Sequence, residues 1–221
     1  MENYYPVFLN IAERRVVVVG GGRVAFRKVQ ALLDARAQCL VVSPELSPAL
    51  QKMAERGDIQ WVRDSFKEQY LQGAWLVIAA TDDSDVQEHV YRACEEKRIF
   101  CNVVDVPGWC SFIVPSIVRR GALKIAISTS GLGPGLAKNI RKELEARFPE
   151  EYERYVECVG KLRRFIIRRY EDADEKARRL EILFDLNTVK WFIDGDVEAI
   201  EHWALELGGT EALSIVRECH G

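Results

Sequence analysis

Gly20, Gly22 and Ala25 stand at the G-x-G-x-x-[GA] spacing of a phosphate-cradling turn, directly after the valine run Val16 to Val19. Each position has its own task in such a turn. Gly20 lets the chain leave a strand tightly, Gly22 has no Cβ to keep a pyrophosphate from the backbone, and Ala25 lets the next helix lie close to the sheet. Gly21, Arg23 and Val24 complete the run that would face the cofactor. The helix that follows aims free N–H groups and a positive dipole end at the anion. The competing reading is a glycine-rich turn that binds no nucleotide. The strand before the glycines and the amphipathic helix after them favour the dinucleotide.

Further candidates follow along the chain. NAD sites often carry an acidic residue at the end of the second strand to bond the ribose hydroxyls. Here that place holds Ser43, with Glu45 close behind and no Arg immediately after the strand to hold a 2′-phosphate. This favours NAD over NADP, and leaves Ser43 as a ribose ligand or a turn residue. Thr81, Asp82 and Asp83 follow the apolar run Trp75 to Ala80. Asp105 follows Phe100 to Val104, where a carboxylate could act as general base; an Asp before Pro107-Gly108 is also ordinary turn chemistry.

Ser128, Thr129, Ser130 and Gly131 form a loop of hydroxyls and glycine that leads into a helix and could hold an acidic substrate. Arg119, Arg120, Lys124, Lys138, Arg141 and Lys142 could surround it with positive charge. Lys161, Arg163, Arg164, Arg168 and Arg169 add a basic stretch beyond; each of these side chains can equally be a solvated surface charge. The 6 cysteines include no C-x-x-C and the 3 histidines no H-E-x-x-H, so no fixed zinc site is expected.

The elements that must position these groups are legible from the apolar pattern. Strands are expected at Val16–Val19, Gln38–Val42, Ile59–Val62, Trp75–Ala80 and Phe100–Val104, alternating with helices after Gly22, over Leu46–Arg56 and over Asp85–Glu96. Ser47 and the Thr81–Ser84 run are the expected helix caps. Tyr4 to Leu9 reads as an extra edge segment. The alternation predicts a doubly wound parallel sheet, with Gly20–Gly22, Ser43, Thr81–Asp83 and Asp105 lining one crevice at the strands' carboxyl ends.

Past Pro107 the character changes. Phe112–Arg119 and Leu123–Ser128 are two apolar strands with so short a link that they must be antiparallel. Too small to bury both faces, this pair is expected to pack on a second copy of the chain. Gly135–Phe148 and everything beyond Pro149 read as helices. The expected fold is therefore α/β: a Rossmann-type parallel-sheet domain over 1–111, a small α+β dimerisation segment over 112–148, and a helical tail over 149–221.

A net charge of -3 argues against general nucleic-acid binding, and no apolar run reaches membrane-spanning length. The first residues, Met1 to Pro6, show no signal peptide, which points to the cytoplasm.

Taken together, the Gly20–Lys28 run, Ile78-Ala79-Ala80-Thr81-Asp82-Asp83, Phe100 to Asp105, Ser111 to Ile117 and Ala126 to Gly131 resemble the precorrin-2 dehydrogenase / sirohydrochlorin ferrochelatase family, the N-terminal half of siroheme synthase. The resemblance covers residues 7 to about 147. In the tail it rests on Gly160-Lys161-Leu162-Arg163. It implies an NAD-dependent oxidation of precorrin-2 to sirohydrochlorin, with Asp105 as the essential aspartate. It also implies a homodimer, a site for an acidic tetrapyrrole, and, in many members, insertion of ferrous iron as a second reaction. Three other readings stay open: a dehydrogenase without chelation, a dehydrogenase for a different small acid, and a non-catalytic NAD-sensing module whose helical tail binds a partner.

Overall fold

The structure is a computed structural model that describes residues 4–220, with the side chain of His220 left out of the description. Met1 to Asn3, on which the leader expectation partly rests, lie outside the described residues. The chain divides into two compact units, Met1–Val114 and Pro115–Gly221.

The first unit is a five-stranded sheet in the order β3-β2-β1-β4-β5. Its strands are β1 (Arg15–Val19), β2 (Gln38–Val42), β3 (Gln60–Val62), β4 (Leu76–Ala79) and β5 (Phe100–Val103). All four pairings are parallel, with Val16 opposite Cys39 on one side and Leu76 on the other. Helices α1 (Arg23–Asp34), α2 (Pro48–Glu55) and α3 (Ser84–Lys97) make three of the four crossovers, and the link from β3 to β4 holds only a 3₁₀ turn at Glu68–Leu71. Val16, Val17 and Val18 are fully buried, because β1 is central and covered on both faces. Val16 and Val18 pack with Ala25, Val29 and Leu50 on one face, and Val17 and Val19 with Val90 and Cys94 on the other. Burying each such side chain is worth about 1.5–3 kcal/mol.

Two expectations need correction here. Tyr4 to Leu9 forms no strand, and Tyr5, Val7, Phe8 and Leu9 are exposed. Pro6 removes a ladder donor, and the open side of β5 is already occupied by the returning chain at Ser111, whose N–H bonds Cys101 O at 2.9 Å. Ser47 occupies the N-cap position of α2 but makes no side-chain cap bond, and the helix begins at Pro48. By contrast α3 is capped as expected, Asp83 accepting from the N–H groups of Asp85 and Val86. Replacing Asp83 with Ala should cost about 1 kcal/mol, read as a lower midpoint in urea with an unchanged slope.

The second unit opens with the antiparallel pair β6 (Ser116–Arg120) and β7 (Leu123–Ile127). The first of these starts at Ser116 and not at Phe112, because Pro115 has no N–H to give a ladder. Helices α4 (Pro134–Arg147), α5 (Tyr152–Arg169), α6 (Ala173–Leu183), α7 (Val189–Asp194) and α8 (Val197–His220) follow. Tyr155, Cys158, Leu162 and Ile166 form the buried stripe of α5, packed with Phe192, Trp203 and Leu207. Helix α8 is kinked at Gly208 and Gly209. A Cβ at Gly208 would meet the Phe165 ring at 2.2 Å, so the kink brings backbone against an aromatic edge.

Of the six cysteines, Cys110 and Cys219 are half-buried and Cys39, Cys94, Cys101 and Cys158 are buried. Burial pushes the Cys39 thiol up to about 11. A thiol reagent at about pH 8 should therefore modify Cys110 and Cys219 first in the folded protein. The remaining four should respond only after denaturation.

Among the described residues, no helix is long and apolar enough to cross a membrane, and no cluster of His, Cys, Asp and Glu could hold a metal ion.

Candidate functional site

The carboxyl ends of β1, β2, β4 and β5 come together at one end of the first sheet. Strand order reverses on either side of β1, so the crevice opens between the ends of β1 and β4. Gly20 N–H bonds Val42 O at 2.9 Å, Ala80 N–H bonds Val19 O at 2.7 Å, and Val104 N–H bonds Ala79 O at 2.9 Å. The loops that carry Gly20–Gly22, Ser43, Thr81–Asp83 and Asp105 are thereby fastened side by side.

The three glycines play three separate parts. Gly20 has φ +121°, and a Cβ there would meet Ala80 O at 2.2 Å. At Gly21 a Cβ would meet Glu45 O at 1.9 Å, because the loop after β2 lies against it and Ser47 N–H bonds Gly21 O at 2.8 Å. Nothing lies within 4 Å of a Cβ built at Gly22. Gly22 is also the N-cap of α1, with no side-chain cap and no acidic residue in the first turn. The open ground over Gly22 and the unclaimed N–H groups of α1 fit the pyrophosphate of a dinucleotide. Arg23 is exposed and Val24 half-buried at the start of that helix.

The other residues expected at the cofactor have local bonds as well. Buried Ser43 donates its hydroxyl to Glu45 O at 2.7 Å, which is the turn role. Thr81 Oγ1 accepts from Asp83 N–H at 3.3 Å, Asp83 caps α3, and Asp82 is exposed. Gln87 Nε2 donates to Thr81 O at 2.7 Å and to Val104 O at 3.5 Å, linking the β4 and β5 loops.

Asp105 is exposed and has φ +64°. A left-handed conformation at a residue other than glycine needs its surroundings to hold it. Lys28 on α1 shares this neighbourhood. Burial and Arg27 push its ammonium below the usual lysine range, while Asp105 and Cys110 pull it the other way. Pattern reading did not find Lys28 or Gln87, since each meets groups carried by other elements.

In the second unit, Ser130 N–H bonds Ser128 Oγ at 3.0 Å and Gly133 N–H bonds Thr129 Oγ1 at 3.1 Å. Ser130 and Gly131 both have positive φ, and nothing lies within 4 Å of a Cβ at Gly131. The loop thus leaves an open face before α4, with Lys138 exposed in the helix that follows. Arg119 and Arg120 do not join it. They pair with Lys124 and Leu123 beside the turn of the hairpin, whereas the loop leaves its other end, where Ser116 pairs with Ile127. Arg120 bonds Phe148 O at 2.7 Å and Glu145 O at 3.1 Å, satisfying carbonyls at the carboxyl end of α4.

Residues 7–116 match a family described as putative NAD(P)-binding, and residues 120–147 match the sirohaem biosynthesis protein central family. Siroheme synthase 3 of Aeromonas hydrophila subsp. hydrophila is 44% identical over 82% of this chain and 39% of its own length. The siroheme synthase of Methylobacillus flagellatus is 39% identical over 89% of this chain and 42% of its own. The chain thus spans about two fifths of the length of these relatives. Among solved structures, SirC, a precorrin-2 dehydrogenase, superposes with a TM-score of 0.73 at 27% identity, covering 87% of this chain and 98% of that one.

Proposed function

The chain belongs to the siroheme-synthesis family that joins an NAD(P)-binding domain to the sirohaem central segment, and on that premise we propose that it oxidises precorrin-2 to sirohydrochlorin with NAD. One observation carries the reading. The open ground at Gly22 and the strained carboxylate-bearing turn at Asp105 stand at the same end of one parallel sheet. Bound NAD supplies the hydride acceptor. Gly20, Gly21, Gly22, Arg23 and Val24 hold the pyrophosphate, with Ser43 and Thr81–Asp83 along the rest of the cofactor. Asp105 takes the proton that leaves the macrocycle as the hydride departs, so the substrate loses two protons and two electrons in all. Positioning of both partners supplies much of the rate.

Ser128, Thr129, Ser130, Gly131 and Lys138 are proposed to bind the carboxylates of the tetrapyrrole. The division into 1–111, 112–148 and 149–221 is kept as a division of tasks: cofactor, dimerisation and helical support. The active form is proposed to be a cytoplasmic homodimer. Ferrous iron is a second substrate, and exposed Asp105 accepts the protons that the metal displaces from the pyrrole nitrogens one at a time, passing each to solvent.

Anaerobic incubation of the protein with precorrin-2 and NAD tests this directly. Reduced nicotinamide and the sirohydrochlorin spectrum should grow together, and ferrous iron should then convert that spectrum to siroheme. Failure of the first change would remove the dehydrogenase reading. Failure of the second alone would remove only the chelatase.

A further inference from the structure

β5 is an edge strand, and the chain returns along its open side. Cys101 N–H donates to Ser111 Oγ at 2.7 Å. One residue on, buried Asn102 reaches across the same gap. Its Nδ2 donates to Phe112 O at 3.0 Å and to Cys110 Sγ at 3.4 Å. The Cys110 thiol in turn donates to Val103 O at 3.2 Å, with Val106 O at 3.4 Å beside it. Trp109, the residue before it, stacks on Tyr91 of α3 with ring centroids 5.7 Å apart. These contacts close the loop that runs from Val103 to Cys110. Inside it sits Asp105 at φ +64°.

Such a conformation persists only where the surroundings over-determine it. The thiol bonds carbonyls on both sides of the strained residue, and the amide anchors the thiol to the buried strand. We propose that Asn102 and Cys110 are positioning residues for the reaction at Asp105, an amide–thiol brace that holds the carboxylate-bearing turn against β5. This rests on the assignment of Asp105 as the base. Neither residue is assigned contact with the substrate; both act through the turn.

The test compares wild type, Cys110→Ala, Cys110→Ser, Asn102→Ala, Asp105→Asn and the double variant Cys110→Ala/Asp105→Asn in anaerobic turnover of precorrin-2 with NAD. Cys110→Ala removes the donor to both carbonyls and the acceptor for Asn102. Its kcat should fall about 10-fold, since small misplacements of a catalytic group are costly, while KM for NAD stays unchanged. A hydroxyl restores donor and acceptor, so Cys110→Ser should recover most of the loss. Asn102→Ala should fall in the same direction; if it does not fold, Cys110→Ala carries the test. On the Asp105→Asn background, Cys110→Ala should cost nothing more. A wild-type kcat in Cys110→Ala, no rescue by Ser, or the same fractional loss on both backgrounds would overturn the brace. Wild-type turnover by Asp105→Asn would remove the base assignment, and the inference with it. A slowed Asp105→Asn beside a fully active Cys110→Ala would remove the inference alone.

Discussion

Asp105→Ala is expected to lower kcat for NAD-dependent oxidation of precorrin-2 by about 10²- to 10⁴-fold, the range that general acid–base groups contribute. Affinity for NAD should stay within about 2-fold of wild type, because the pyrophosphate is held by a different loop. The backbone complicates the choice of variant. At φ +64° an alanine pays a steric cost of about 1–2 kcal/mol that aspartate and asparagine, which bond locally, tolerate better. Asp105→Asn is therefore the cleaner probe, since it keeps the turn and removes the base. Both should lose turnover to about that extent and keep a measurable residual rate, but only the alanine should also lose stability. The checks are initial rates of nicotinamide reduction, fluorescence titration with NAD, and urea unfolding. If the asparagine variant keeps its rate while the alanine loses it, the residue serves the backbone and not the chemistry.

Gly20→Ala and Gly22→Ala should differ sharply although they are two residues apart. At Gly20 the new methyl collides with the Ala80 carbonyl, 2.2 Å away, and φ is +121°. Backbone cannot yield there without disturbing the hydrogen bond from Gly20 N–H to Val42 O. Overpacking of about 1–3 kcal/mol adds to a comparable conformational penalty. The first unit should lose much of its stability and the protein should express poorly. At Gly22 the methyl meets nothing within 4 Å, so the melting temperature should hardly move. It stands instead where the pyrophosphate would approach, and NAD affinity should fall by about 10-fold or more, worth about 1.4 kcal/mol. Calorimetric unfolding and NAD titration on the two variants separate the roles. Undiminished NAD binding by Gly22→Ala would show that the cofactor lies elsewhere.

The Val16–Val19 run, the glycine spacing and the alternation of strand with helix were enough to specify the first unit. Each is a local pattern, and burial on two faces leaves a parallel strand little freedom in composition. The crevice followed from the same reading, because the carboxyl ends of parallel strands share one edge. The two antiparallel strands followed from the shortness of Arg120-Gly121-Ala122. Which charges stand near which loop did not follow. Arg119 and Arg120 are close to Ser128 in sequence, yet the hairpin carries them to its other end and Arg120 is spent on the carbonyls of Glu145 and Phe148. Tyr4 to Leu9 has the composition of an edge strand, but the edge at β5 is taken by Ser111, which lies about 100 residues away in sequence.

Residue types and their periods fix what is decided within a turn or a strand: a glycine where a ligand or a carbonyl comes close, a buried face, a cap. Hydrogen bonds between side chains and distant carbonyls depend on where the backbone has already gone. The amide of Asn102, the thiol of Cys110 and the strained φ of Asp105 therefore became visible only once the folded chain had brought them around one turn.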